Sequence, residues 1–423
     1  MSEVATASAG PLAGRTGVSR VVPGSRRIVE PEQTLANIRP LCDDAGITRI
    51  ADVTGLDTIG IPVALAVRPN ARSLSVSQGK GLSLTAAKVS AAMESLELHH
   101  AEHIDSRPVI ASASELRRRG ARIADPEALA KRVGSRYHDH LRIPWLSGYG
   151  LCSGAETLVP MEMVDMDCVR PRPYTTHVFY GGSNGLASGN NLAEATAHSL
   201  CELVERDAAA LWWHRGARAQ ADTRIDPASI TDPDSRGLLD RFDRAGVDVA
   251  IWDLTSDLGI PTIRSLVVDR SPFEGRRLMV TGGQGCHLDA AVALRRSLTE
   301  AAQARLTAIT ASRDDISRQS IEQAADARVA ATARRELFAD AAAPTRAFTD
   351  IPSRWNETLD EDITLLLHAI TEAGLAEPVI VDLSRPGTGI AVVKAVGPGL
   401  EPNPAEAVLA GRRLRRALQE VAS

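Results

Sequence analysis

The feature that most constrains the fold of this chain is a weak internal repeat. Three segments share one pattern, in which a glycine-rich turn precedes a helical stretch with two glutamates three apart or, in the third segment, Glu300 and Gln303. They span residues 77–97 (SQGKGLSLTAAKVSAAMESLE), 185–207 (GLASGNNLAEATAHSLCELVERD) and 282–303 (GGQGCHLDAAVALRRSLTEAAQ). Their separation of about a hundred residues exceeds the period of solenoid proteins. The pattern therefore predicts three related units that close around one centre.

Each of the three predicted helices presents a polar stripe. Successive residues of a helix are rotated by about 100°, so side chains three or four apart lie on the same side. The stripes contain Ser90, Glu94 and Glu97 on the first helix, Glu194, His198, Glu202 and Glu205 on the second, and Arg296, Glu300 and Gln303 on the third. One such stripe is typical of an exposed helix face. Three stripes, each surrounded by small residues, favour helices packed inside the protein.

A shared interior site for these acids needs positive charge. Buried carboxylates are costly unless they are paired or bind a metal. Hard divalent cations prefer oxygen ligands, and Mg²⁺ is the usual ion when phosphate oxygens complete the coordination shell. Lys80, Arg206 and Arg296 would supply fixed positive charge for a polyphosphate. Short glycine turns at helix starts would direct backbone N–H groups toward the same anion.

Other common catalytic patterns are weaker or missing. The sequence has no G-x-x-x-x-G-K-[ST] motif for a P-loop, and the glycine segments lack the context of a dinucleotide fingerprint. His99 and His103 are more typical of a polar helix end than of a metal site, since H-E-x-x-H is missing. Cys152 and Cys168 have no base that the sequence places beside them.

Composition excludes several classes of protein. Apolar residues make up 44% and charged residues 24% of the chain, which are globular values. The net charge of −5 argues against a general nucleic-acid binder, and we interpret the arginine clusters at 117–119 and 412–416 as solvated helix faces. The sequence shows no apolar run for a membrane span and no secretory signal. Five dispersed cysteines fit reduced thiols in a cytoplasmic protein.

The remaining pattern predicts an α/β or α+β fold, with a mobile tail over residues 1–28 followed by a single domain over 29–423. Strands are expected at 47–53, 61–67, within 158–180, at 260–268, 276–283, 378–384 and 389–396, and further helices at 113–133 and 315–345.

At the three repeat segments the chain resembles the YcaO family of ATP-dependent enzymes that modify peptide backbones. The segment SRDD at 312–315 and the strand with its turn, VVKAVGPGLEP at 392–402, extend the resemblance to about residues 45–405. The resemblance implies a YcaO-type fold with an ATP site and Mg²⁺ held by helix carboxylates. It also implies activation of a peptide amide, in which a nucleophile adds to the carbonyl carbon and ATP phosphorylates the oxygen.

The resemblance also assigns roles to individual residues. The implied metal-binding acids are Glu94, Glu97, Glu194, Glu202, Glu205 and Glu300. The implied nucleotide-binding residues are Lys80, Ser90, Asn190, Arg206, Arg296 and Gln303. The catalytic residues proper are left unassigned.

The resemblance leaves the product open, because the nucleophile determines it. The chain ends in ALQEVAS and not in the Pro-x-Pro-x-Pro tail of many azoline-forming members, and its start is too short for a leader-binding region. Residues 46–81 resemble the subgroup that partners TfuA-like proteins and is associated with thioamide formation. We therefore expect thioamide formation on a ribosomally made peptide or protein with a TfuA-like partner, in an enzyme that is by resemblance a homodimer.

Three alternatives stay open at this stage. The first is an azoline-forming cyclodehydratase that acts on Cys, Ser or Thr. The second is a non-catalytic peptide-binding scaffold that keeps the fold. The third is a metal-dependent hydrolase that uses the same carboxylates without ATP.

Overall fold

The structure is a computed structural model that describes residues 26–170, 176–270, 280–338, 346–402 and 408–422. The predicted tail, residues 1–28, therefore lies outside the described residues as far as residue 25. Residues 26–28 contact the body of the protein, since Arg26 pairs with Asp362 and the guanidinium of Arg27 pairs with Glu194.

The described residues form eleven α-helices and thirteen β-strands. The helices are α1 (Pro31–Asp44), α2 (Leu84–Glu102), α3 (Ala113–Arg118), α4 (Leu192–Trp213), α5 (Ala217–Ala221), α6 (Pro233–Arg244), α7 (Ala290–Thr310), α8 (Arg318–Ala324), α9 (Ala327–Phe338), α10 (Leu359–Glu372) and α11 (Arg412–Ala422). The strands are β1 (Arg49–Asp52), β2 (Val63–Val67), β3 (Val76–Lys80), β4 (Val109–Ser112), β5 (Arg142–Gly150), β6 (Glu156–Pro160), β7 (Leu186–Gly189), β8 (Arg224–Ile225), β9 (Val247–Asp253), β10 (Thr262–Asp269), β11 (Val280–Cys286), β12 (Val379–Asp382) and β13 (Ala391–Val396). None of these helices combines the length and the apolar character that crossing a bilayer requires.

The strands build three antiparallel sheets, one for each repeat. Their strand orders are β1-β2-β3, β11-β10-β9-β8 and β4-β5-β12-β13-β7, and β6 pairs with β5. The strand of each repeat, β3, β7 or β11, stands at the end of its sheet's order and is followed by the acidic helix α2, α4 or α7. The mixed α/β class is confirmed, and the repeats are three strand–helix units at three sheet edges.

The glycine segments differ from the prediction, because most of their glycines lie in strands, although Gly185, with a φ of +77°, lies in a turn before β7. Gly79 is in β3, Gly189 in β7, and Gly283 and Gly285 are in β11. A Cβ atom at any of these positions would overlap the backbone of the following helix. The glycines therefore let each helix pack directly on its own strand. The helix starts are capped by side chains instead, of which Asn191, accepting from the backbone N–H of Glu194, is one.

Two predicted elements are much shorter in the structure. The predicted helix at 113–133 ends with α3 at Arg118, because Gly120 has a φ of +73° that continues no right-handed helix. Among the residues of 158–180 that the structure describes, a strand forms only at 158–160, the end of β6. The predicted helix at 315–345 is divided into α8 and α9, and residues 339–345 lie outside the described residues.

One arginine of the basic cluster at 412–416 does not lie on a solvated face. The Arg413 side chain is largely buried and pairs with Asp207 on α4 at 2.9 Å and with Asp257. Glu401 accepts hydrogen bonds from the backbone N–H groups of Gly411 and Leu414, at 2.8 and 2.9 Å. These contacts hold α11 against the helix that carries three of the predicted metal ligands.

Candidate nucleotide and metal site

All twelve residues assigned from the sequence line a single cavity of about 1030 Å³. Helix α2 contributes Ser90, Glu94 and Glu97, and strand β3 contributes Lys80. The connection between β7 and α4 contributes Asn190, α4 contributes Glu194, Glu202, Glu205 and Arg206, and α7 contributes Arg296, Glu300 and Gln303. The volume is at the upper end of ordinary ligand pockets. The three units therefore meet at one chamber, as the repeat predicted, whereas the role of each residue stays a prediction.

Contacts between side chains and backbone of different units join the units across this chamber. The ammonium group of Lys80 on β3 forms an ion pair with Glu300 on α7. The Oε1 atom of Glu97 on α2 accepts hydrogen bonds from the backbone N–H and the hydroxyl of Ser188 on β7, at 2.9 and 2.6 Å. Side chains from one unit are thus positioned by another, which sequence spacing within a unit cannot show.

Arg206 neutralises part of the acidic wall on α4. Its guanidinium lies 3.1 Å from a carboxylate oxygen of Glu205 and 3.5 Å from one of Glu202. Burial raises the pKa of Glu205 despite Arg206, with the neighbouring charges of Glu300 and Glu202 acting in the same direction. Burial also raises the pKa of Glu300, but Lys80 and Arg206 outweigh it and lower that pKa below its usual value.

Glu94 and Glu97 form no ion pair with a described residue. Glu94 accepts a hydrogen bond from the backbone N–H of Gln78 at 3.1 Å, and Glu97 is held by Ser188. Burial raises the pKa of both carboxyls, that of Glu97 to about 8. Two partly buried carboxylates that hydrogen bonds orient, and that have no ion pair with a described residue, fit a site for Mg²⁺. Bound Mg²⁺ would add positive charge to that of Arg313 and Lys80, which already act on Glu94.

The six glutamates line the chamber, but no three of them place carboxylate oxygens within 4.8 Å of one another. Within the described ranges, the one group of three possible ligands with all ligand atoms inside 4.8 Å of each other is His99, Glu102 and His103. Two arginines already contact the possible ligand atoms of this group. Arg68 donates to Glu102 at 2.6 and 2.8 Å, and Arg385 lies 3.0 Å from the Nε2 atom of His99. It is therefore a structural network, in line with the interpretation of these histidines as a polar helix end.

The structure adds residues that the sequence did not assign to the site. Arg27 pairs with Glu194 at 2.8 Å, and the hydroxyl of Thr34 donates to the amide oxygen of Asn190 at 2.9 Å. Arg313, in the SRDD segment, also lines the cavity. Thr34 lies with Ile38 on the buried face of α1. A polar residue on an otherwise apolar helix face is a sequence signal that could have pointed to Thr34. Arg27 falls within the predicted tail, where no helical or strand periodicity indicates a contact with the site.

His198 lies within the same wall as a neutral imidazole. Its Nε2 atom lies 3.0 Å from the guanidinium of Arg296, and its Nδ1 atom is buried without a hydrogen-bond partner. Burial and the charge of Arg296 lower the pKa of His198 well below its usual value. The neutral ring can accept from Arg296 and leaves that arginine's positive charge available to an anion in the cavity.

The raised pKa of Glu97 predicts a pH-dependent stability. Between its ordinary value of 4.5 and about 8 the folded state holds a proton that the unfolded state has lost. The free energy of unfolding should therefore fall as the pH rises through this window. Thermal melting over that range measures the slope, and Glu97→Gln should flatten it. Addition of Mg²⁺ with a non-hydrolysable ATP analogue should also stabilise the protein more at high pH. An identical slope in the variant would contradict the assignment.

Lys80→Met is expected to weaken binding of an Mg²⁺–ATP analogue by about ten- to a hundredfold. A hydrogen bond to a charged group contributes about 1.5–3 kcal/mol, and each 1.4 kcal/mol is about a tenfold change in affinity. Titration calorimetry measures the change. The matched control is Lys88→Met, since Lys88 lies on the same unit but does not line the cavity. Equal affinities for the two variants would remove Lys80 from the site.

Comparisons with known proteins agree with this geometry. The family model described as YcaO cyclodehydratase, ATP- and Mg²⁺-binding, matches residues 78–401. A protein of Rhizobium leguminosarum bv. trifolii, described as an uncharacterized protein in the tfuA 3′ region, is 40% identical over 384 residues, which are 89% of this chain and 88% of that protein. An uncharacterized protein of Methanothermobacter thermautotrophicus is 33% identical over 92% of this chain and 99% of its own.

Two solved structures share the fold. A heterocyclase in complex with substrate and cofactor superposes with a TM-score of 0.76 at 24% identity, over 94% of this chain, which spans about half (55%) of that chain. The YcaO protein from Methanopyrus kandleri, bound with AMPPCP and Mg²⁺, superposes with a TM-score of 0.69 at 21% identity, over 88% of this chain and 92% of that one. With a family model that covers most of its length and relatives above 30% identity, the chain belongs to the YcaO family of ATP- and Mg²⁺-binding enzymes.

Proposed function

We propose that this protein forms a thioamide in a ribosomally made peptide or protein, with ATP and Mg²⁺. Hydrosulfide would add to the carbonyl carbon of a backbone amide, and the resulting oxyanion would take the γ-phosphoryl group of ATP. Phosphate then leaves with the original amide oxygen, the sulfur loses its proton to that phosphate as the C=S bond forms, and ADP remains. Sulfur replaces oxygen, and no electrons are gained or lost.

The residues of the cavity support the activation step. Phosphoryl transfer is mainly a problem of positioning and of neutralising charge on the phosphates. Lys80, Arg206 and Arg296 would hold the phosphates, and the glutamates of the three helices would hold Mg²⁺, which would neutralise phosphate charge. Ion pairs already orient two of these cations, because Lys80 pairs with Glu300 and Arg206 pairs with Glu205.

The observation that carries the choice of thioamide formation is the relative in the tfuA 3′ region, at 40% identity over most of both chains. The subgroup that this chain resembles is the one that partners TfuA-like proteins. We infer that a TfuA-like protein delivers or recognises the substrate. The homodimer implied by the resemblance stays a prediction, which sedimentation of the purified protein tests.

Azoline formation is the second candidate, because the family model is described as a cyclodehydratase and two structural neighbours are heterocyclases. One experiment separates the two reactions. The protein is incubated with ATP, Mg²⁺, sulfide, a TfuA-like partner and short peptides encoded nearby, and the peptides are weighed by mass spectrometry. A gain equal to the difference between sulfur and oxygen supports the thioamide. Loss of one water supports the azoline, and ADP release with no change in mass contradicts both.

A further inference from the structure

One buried cation has no role in the site described above. Lys394 lies on β13 and is only 2% exposed to solvent. Its ammonium group donates to the backbone carbonyl of Gly182. An ammonium group can donate three hydrogen bonds, so two of its donors have no acceptor among the described residues. Burial lowers the pKa of Lys394 to about 8, while the charge of Glu202 acts in the opposite direction.

A small second cavity of about 50 Å³ lies against this lysine. This volume has room for a few water-sized molecules. A second cation, Arg206, lines the same cavity. The other walls include the neutral polar side chains of Tyr180 and Asn184 and apolar side chains such as Leu203 and Leu400. The described part of this cavity therefore combines two cations with one carboxylate, that of Glu401, and with otherwise neutral walls. Both oxygens of Glu401 already accept hydrogen bonds from backbone N–H groups, those of Gly411 and Leu414.

The position of Arg206 relates this small cavity to the large one. Arg206 lines both cavities and pairs with Glu202 and Glu205. Arg206 is the lining residue that the two cavities share, so the small cavity adjoins the wall that would hold the metal ions and the phosphates.

We propose that the cavity at Lys394 and Arg206 binds hydrosulfide, the sulfur nucleophile of the reaction. This inference rests on the proposed thioamide-forming function and adds to it the place where the small co-substrate waits. Hydrosulfide is a compact monoanion that would accept hydrogen bonds from the free donors of Lys394.

The partly apolar lining of the small cavity favours a polarisable monoanion over phosphate. The cost of removing an ion from water rises steeply with its charge, and a phosphate dianion needs several well-placed donors to offset that cost. The apolar side chains Leu203, Leu400 and Met163 offer none. Hydrosulfide is large, polarisable and singly charged, so partly apolar walls cost it less.

Bromide is a suitable probe because it is a monoanion of similar size and scatters X-rays anomalously. Crystals of the protein with Mg²⁺ and a non-hydrolysable ATP analogue are soaked in sodium bromide, and the anomalous map is inspected between Lys394 and Arg206. We expect a peak there in the wild type and none in Lys394→Met. Lys88→Met, the same substitution outside both cavities, should keep the peak. Lys394→Met should also keep its melting temperature, because an apolar side chain of similar length replaces an unpaired buried cation.

Competition identifies the ligand. Hydrosulfide should remove the bromide peak at a lower concentration than chloride or phosphate does. No peak in the wild type, a peak that persists in Lys394→Met, or displacement by chloride or phosphate at equal or lower concentration would each overturn the proposal. These binding results are independent of the peptide masses measured for the proposed function, so either inference can fail while the other stands.

Discussion

Glu205→Gln is expected to reduce ATP turnover on the order of a hundredfold or more, the usual effect of losing a group that stabilises transition-state charge. Glu205 is buried on α4, lines the chamber, and lies 3.1 Å from Arg206. An amide of the same shape carries no charge and is a poorer ligand for Mg²⁺. ADP release and calorimetric titration with an Mg²⁺–ATP analogue measure the two consequences separately.

The same variant should keep its fold. Burial raises the pKa of Glu205, so the folded state penalises the charged form, and a neutral side chain removes that penalty. Arg206 keeps Glu202 as a partner. The matched control is Glu127→Gln, which removes only an exposed pair with Lys131. Turnover by Glu205→Gln comparable to that of the control would show that the metal assignment is wrong.

Arg305→Met is expected to lower the free energy of unfolding by about 3–5 kcal/mol, the cost of breaking a buried ion pair from one side. The Arg305 side chain is fully buried on α7 and pairs with Asp57 at 2.9 Å and with Asp269 at 3.1 Å. Asp57 lies between β1 and β2 of the first sheet, and Asp269 ends β10, so this arginine joins two of the three units. Urea unfolding measures the loss.

Arg334→Met is the control for this prediction. Arg334 lies 3.5 Å from Asp248, and its side chain is a third exposed, so its loss should cost less than about 1 kcal/mol. Adding Asp57→Asn and Asp269→Asn to Arg305→Met should restore part of the stability, because no unpaired buried charge then remains. Equal losses in Arg305→Met and Arg334→Met would mean that Arg305 is not a joint between the units.

Much of the candidate site could be predicted because its ligands follow helical periodicity. Glu94 and Glu97, or Glu202 and Glu205, lie three apart on one face wherever the helix is placed. The repeat then related three such faces to each other. Residues outside the repeats were missed, as with Arg27 and Thr34, because their approach to Glu194 and Asn190 depends on how the N-terminal segment crosses α4.

The glycine segments show where local pattern is ambiguous. Glycine is typical both of turns that bind anions and of strands on which a helix packs closely. The sequence letters around Gly79 and Gly283 favour neither, and the choice depends on the distance between the strand and the helix backbone, which is a tertiary quantity. The helix predicted at 113–133 is too long for a local reason, because the positive φ of Gly120 stops the helix shortly after Arg118.

By itself, the sequence determined the three acidic helices, their polar faces and the family, because residue periodicity and long motifs are properties of the chain read in order. Only the tertiary structure decided how the units share charge. Lys80 neutralises an acid two hundred residues away, Ser188 orients Glu97, and Lys394 donates to the backbone carbonyl of Gly182 beside a small cavity. Electrostatic energy depends on distances and burial across units, and these exist only after the three sheets have packed together.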